Sequence, residues 1–261
     1  MQYKRALADK CVRFTEYVCD KYHRRIFGTF VLKKLMHLHK CSECRFKSAA
    51  EKSLNQEEFD ILEKNSVKVS FRKGELIIKQ GALSLNVAYL LTGIVKTHIR
   101  GPVSEKILRI VKAPAYLGIP TTFGDKVNQL SVTALEDSTV CFIDAALFRS
   151  FIYSNGKFAY EIIVDLCKNE LFDYHRSAGL AQKQVPGIMA ETLLCLADNI
   201  YEKDHFTFPL TQHELGDLVG VSRESVSRVL SEFSNEKIIE FKSKKFAILD
   251  KERLRHISEK G

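Results

Sequence analysis

No apolar run in this 261-residue chain approaches the ~20 residues a helix needs to cross a bilayer. FGTFVL at 27–32 is too short, and KKLMHLHK follows it at once. A small-residue cleavage site is also missing, so no secretory leader is expected and the chain reads as cytoplasmic. There is no Ser/His/Asp arrangement and no phosphate-cradling loop, and no catalytic activity is expected. Seven cysteines in a chain without an export signal argue against a disulfide framework. Cys41 and Cys44 have C-x2-C spacing but lack the βαβ context of a thioredoxin-like redox enzyme.

Excess positive charge is missing from most of the chain as well. The formal net charge is +8, yet residues 1–47 hold twelve Lys/Arg against four Asp/Glu, leaving 28 of each sign in the remainder. Bulk charge therefore carries no argument for nucleic acid beyond that segment. Any such argument has to come from local placement.

Local placement is strongest in LTQHELGDLVGVSRESVSRVLSEF at 210–233. Thr211 followed by Glu214 forms a capping box that opens a helix. Leu215, Leu218 and Val219 give that helix a buried side, and Gly216 permits close approach. Gly220 suits the left-handed end of a helix, and Ser222 suits the N-cap of the next. In the second helix Val226, Val229, Leu230 and Phe233 fall at i, i+3, i+4 and i+7, one apolar stripe. Arg223, Glu224, Ser227 and Arg228 fall on the other side, and their types match base edges: arginine donates to guanine, and glutamate accepts from the cytosine amino group. A Glu224–Arg228 pair at i, i+4 can fix both side chains. This layout is a helix-turn-helix, whose second helix enters the major groove. A helical hairpin with a solvated charged face is the plainer alternative.

SRESVSRVL at 222–230, after TQHELGDLVG at 211–220, resembles the DNA-binding signature of the CRP/FNR regulators. FRKGELIIKQGA at 71–82 and YLLTGIVK at 89–96 resemble the turns of that family's cyclic-nucleotide-binding-type β-roll. The likeness covers most of residues 41–261. It implies an α+β fold: an N-terminal antiparallel β-roll, a long dimerisation helix and a C-terminal winged helix-turn-helix. The expected divisions are a basic extension (1–40), sensor (41–148), dimerisation region (149–184) and DNA-binding domain (185–261). Residues 1–40 have no counterpart in the family, and initiation at Met36 would leave 226 residues. An intact mass retaining Met1 would exclude that start.

The chain pattern agrees with this outline. Val67, Val69 and Phe71 alternate, and short apolar runs at 76–78, 87–91, 107–111, 132–134 and 139–143 are separated by glycines, as a β-roll requires. Ile162, Ile163, Leu166, Cys167, Leu171 and Tyr174 form a helical stripe between 158 and 178. A helix packed on its own β-roll would carry the same stripe as one paired across a dimer. Pro186 marks a break, a further helix covers 188–201, and 237–241 with 246–249 form a two-stranded wing around KSKK.

The resemblance implies DNA contacts at Arg223, Glu224 and Arg228, with Ser222, Ser227, Thr211 and Gln212 beside them. Lys242, Lys244 and Lys245 are placed to meet phosphates, Lys244 foremost. The expected target is double-stranded DNA, an inverted repeat with a TGA-like core read by a homodimer, with RNA polymerase as a further partner and no membrane. A small-molecule-binding module without DNA function is the alternative of another class.

For the signal, the family's cyclic-nucleotide pocket uses Gly-Glu and a later Arg-Ser. Here the matching segments read Gly118-Ile119-Pro120 and Asn128-Gln129, so the phosphate lacks its arginine and cyclic AMP is not the expected ligand. Cys41, Cys44 and Cys141 match three of the four cluster cysteines of the fumarate–nitrate branch. The remaining position is Ala50, one thiolate short of an iron–sulfur site unless Cys11 or Cys19 completes it. Cluster, zinc and thiol-switch readings stand beside the plainer one, in which Cys141, Cys167 and Cys195 are small apolar side chains. His37, His39, Cys41 and Cys44 are spaced too tightly for four ligands around one zinc.

Overall fold

The computed structural model describes residues 47–261. Helix α1 (Gln56–Lys64) opens on a capping box between Asn55 and Glu58. Eight strands follow: β1 (Ser66–Phe71), β2 (Leu76–Ile78), β3 (Asn86–Thr92), β4 (Ile94–Arg100), β5 (Glu105–Lys112), β6 (Ala115–Leu117), β7 (Ser131–Ala134) and β8 (Ser138–Asp144). A short helix α2 (Ile119–Gly124) lies between β6 and β7. The strands form two four-stranded antiparallel sheets, ordered β1-β8-β3-β6 and β2-β7-β4-β5. Consecutive strands β3 and β4 lie in different sheets, so the chain must reverse sharply between them. Gly93 makes that reversal at φ +96°, where a Cβ would stand 2.2 Å from the Ser138 hydroxyl.

Leu90, Val95, Val132 and Val140 are fully buried in one core between the two sheets, whereas Val87 is buried with Phe148 and Phe158, and Ile107 in the core shared with the C-terminal helices. The alternation expected in β1 is only partly realised: Val67 is 63% exposed, because β1 is an edge strand paired to β8 alone.

Helix α3 (Ala145–Ser154) is capped by Asp144, and α4 (Gly156–Gln182) by Asn155. Phe158 and Ile162 turn one side of α4 into the β-roll core, where Phe158 meets Phe148 and Phe151 edge-on at 5.1 and 5.7 Å between ring centres. Tyr160, Ile163, Cys167, Leu171 and Tyr174 lie on the exposed side of the same helix. The sequence stripe is thus two faces, one packed on the β-roll and one open.

The break predicted at Pro186 falls at Lys183 and Gln184. Pro186 itself stands in the first turn of α5 (Val185–Cys195), where its missing N–H has no partner to lose. The helix continues with π-type bonding over Leu196–Tyr201. Then come β9 (His205–Thr207), α6 (Gln212–Val219), α7 (Arg223–Asn235), β10 (Ile239–Lys242), β11 (Lys245–Ile248) and α8 (Lys251–Lys260). The wing has three strands, β10-β11-β9, one more than the sequence pattern indicated. Its tight turn lacks glycine, and Ser243 takes the positive φ of 58° there.

Candidate nucleic-acid interface

The reading head is built from its hydrophobic back forward. Leu215, Leu218 and Val219 of α6 and Val226, Val229, Leu230 and Phe233 of α7 are all at most 4% exposed and share one core with α5 and the wing. Thr211 and Glu214 cap each other at the start of α6: the Glu214 N–H donates to Thr211 Oγ1 at 3.2 Å, and the Thr211 N–H donates to Glu214 Oε2 at 2.8 Å. Gly220 ends the helix at φ +83°, its N–H donating to the Gly216 carbonyl at 2.7 Å. Gly216 is needed for closeness, since a Cβ there would stand 2.6 Å from the Val221 carbonyl oxygen. The Ser222 hydroxyl then accepts the Ser225 N–H at 3.2 Å and opens α7.

With its back fixed, α7 presents Arg223, Glu224, Ser227 and Arg228 on the other side. Together with Gln212 and Ser231 they line one open cleft of about 460 Å³. The Glu224 carboxyl is held below its ordinary range by the N–H at the helix start, then by the Ser222 hydroxyl, with Arg223 and His213 adding positive charge nearby. It is therefore an ionised acceptor at neutral pH, suited to a base amino group.

Thr211 and Ser222 act as caps at the rim of this surface. Lys244 lies in the exposed turn between β10 and β11 and does not line the cleft, so it suits a phosphate rather than a base. Lys242 is paired with Glu240 at 2.5 Å. Ser231 was not anticipated. It follows Arg223 and Ser227 at the four-residue helical step, and that spacing is the signal that would have located it.

The segment that would hold a cyclic nucleotide is satisfied by its own polar groups. Thr121 Oγ1 donates to the Gly118 carbonyl at 2.8 Å, Thr122 Oγ1 bonds Ser84 Oγ at 2.7 Å, and Gln129 bonds Asp125. The Asp125 carboxylate beside Gln129 is the wrong sign for a phosphate, so these residues do not fit one. Cys141 is buried in β8, in the same core as Tyr89 and Phe148. Cys41 and Cys44, like Cys11, Cys19 and the 1–40 extension, lie outside the described residues. Among the described residues, no three His, Cys, Asp or Glu side chains are grouped to hold a metal.

Comparison with known proteins places these parts. The cyclic nucleotide-binding domain family matches residues 68–155, and the Crp-like helix-turn-helix domain family matches residues 189–257. The chain is 27% identical over 191 residues to the CRP-like cAMP-activated global transcriptional regulator of Mycobacterium tuberculosis, covering 71% of this chain and 85% of that one. It is 22% identical over 217 residues to the transcriptional activator protein FnrA of Stutzerimonas stutzeri, covering 80% and 88%. Among solved structures, FixK2 from Bradyrhizobium japonicum shares the fold with a TM-score of 0.67 at 18% identity, over 74% of this chain and 96% of that one. With a β-roll and a Crp-like helix-turn-helix matched in the family's order, this chain belongs to the CRP/FNR family of transcription regulators.

Proposed function

We propose that the protein is a homodimeric regulator that reads an inverted repeat with a TGA-like half-site core, under control of a signal received at the β-roll. The observation that carries this reading is the single cleft in which Arg223, Glu224, Ser227 and Arg228 meet Gln212 while Val226, Val229, Leu230 and Phe233 hold the back of α7 in the core. One such helix spans one half-site, and two related by a two-fold axis span a palindrome. The open face of α4 supports the dimer: Tyr160, Ile163, Cys167, Leu171 and Tyr174 recur at steps of three and four, the spacing of paired helices. The division at 1–40, 41–148, 149–184 and 185–261 belongs to the same proposal, as do contact with RNA polymerase and the absence of catalysis.

The M. tuberculosis relative is described as cAMP-activated, but cyclic AMP is not the signal proposed here, because Asn128 and Gln129 stand where a phosphate would need a cation. A signal acts by shifting the population of dimers whose reading heads suit the operator. The iron–sulfur alternative depends on Cys41 and Cys44, which lie beyond the described residues.

The test is selection from random duplex DNA by the full chain, with footprinting of the winner. The expected result is an enriched palindrome protected over both half-sites. Return of no enriched palindrome, aerobically and anaerobically, would refute the reading.

A further inference from the structure

The first helix of the reading head is gripped at both ends by cations that do not belong to the head. At its opening turn, Lys96 of β4 donates to Glu214 Oε1 at 2.9 Å and lies 3.6 Å from Glu105 of β5. The Lys96 side chain is only 11% exposed. Glu214 also bonds Thr211, so a charge on the sensor reaches the turn that sets Gln212 in the cleft.

At the closing turn, the Leu218 carbonyl accepts from two cations. Arg176 of α4 donates at 2.6 Å, and Lys106 of β5 donates at 3.3 Å. The last carbonyls of a helix lack intrahelical donors and carry partial negative charge, so cations there both bond and neutralise it. Gly220 leaves room for this arrangement: a Cβ there would stand 2.9 Å from Lys106 Nζ.

Two fixed points on a rod determine its direction. We infer that Lys96, Lys106 and Arg176 are positioning residues for operator reading: they fix the direction of the reading head against the β-roll and α4, and thereby the distance between the two recognition helices of a dimer. This inference rests on the dimeric, inverted-repeat reading proposed above. A head held in this way accepts one half-site spacing. A released head, tethered through Lys183 and Gln184, accepts several. Base preference within a half-site belongs to α7 and is unaffected by the clamp.

The experiment compares binding of the full chain to its selected palindrome with binding to palindromes whose spacer is one or two base pairs shorter or longer. For the parent, each added or removed base pair is expected to cost about tenfold or more in affinity. In Lys96→Met/Arg176→Met the penalty should shrink to about threefold or less, while single-base preference within the half-site stays parental. Arg176→Lys and Lys106→Arg in the parent, which keep the charge, should retain spacing discrimination. Thermal unfolding identifies any variant that has lost its fold. In that event Lys106→Met alone, which removes a half-buried amine, must move spacing discrimination in the same direction.

Parental spacing discrimination in the folded variants would overturn the inference and leave the dimeric reading intact. A uniform loss over all spacers would also overturn it, because the cations would then act on contact rather than direction. A parent that binds no palindrome removes the dimeric reading first, and the clamp with it.

Discussion

Glu224 and Arg228 stand one helical turn apart on the exposed side of α7, and each offers a different hydrogen-bonding pattern to a base pair. Replacing either with alanine is expected to cost roughly 1–3 kcal/mol on the matched operator and to flatten discrimination at one base position. Titration against single-base variants of the half-site measures both. Lys244→Ala should behave differently: affinity falls about equally on all sequences, and the slope of log affinity against log salt becomes shallower by about one. The exposed placement of Glu224 and Arg228 was legible in the sequence because the apolar stripe assigns one face of α7 to the core and leaves the other open. Ser231 was not, since a serine adds neither charge nor hydrophobicity to the pattern. Gly93 gives a prediction of stability rather than binding. Gly93→Ala places a methyl against Ser138 and the Asp137 carbonyl at a positive φ, and should cost about 1–3 kcal/mol or more, read as a lower urea midpoint.

At the scale of elements, α4 carries two different tasks on opposite sides. Phe158 and Ile162 anchor it to the β-roll, whereas Ile163, Leu171 and Tyr174 face outward. On the dimeric reading, Ile163→Ser with Leu171→Ser removes apolar contact from the shared face while leaving the anchored side unchanged. Sedimentation should show a larger monomer fraction, and operator affinity should fall with it. The helix and its stripe were readable from the 3.6-residue period, but the division into two faces was not, because both kinds of apolar residue look alike in a sequence. Helices α6 and α7 were the most legible elements, since Thr211, Gly220 and Ser222 mark three of their four ends chemically. Helix α8 and strand β9 were missed. In α8 only Leu254 and Ser258 are buried, and β9 is three residues long, so neither carries a period. Short α2 was missed for the same reason.

For the whole molecule, stability should depend on pH through Glu51, which burial pushes from its ordinary value of 4.5 up to about 7. A folded pKa raised above the unfolded one favours the folded state fully below 4.5 and loses that advantage as pH rises through about 7. The difference amounts to at most about 3 kcal/mol. Urea midpoints at pH 5 and pH 8 should therefore differ more in the parent than in Glu51→Gln, whose amide does not titrate. At this scale the sequence foretold the order of domains and the absence of a bulk charge signal beyond residue 47. It gave no sign that the head docks on the hairpin of β4 and β5, because Lys96 and Glu214 are 118 positions apart and no local pattern links them.

On the reading proposed above, that docking has a consequence for how a signal would leave the β-roll. The covalent path to the DNA-reading end runs the length of α4 and turns at Lys183 and Gln184, but β4 and β5 touch α6 directly. A shortcut through space makes the peptide connection a leash rather than a wire. Lengthening the leash by a few flexible residues would leave these contacts intact, whereas neutralising Lys96 and Lys106 would loosen them.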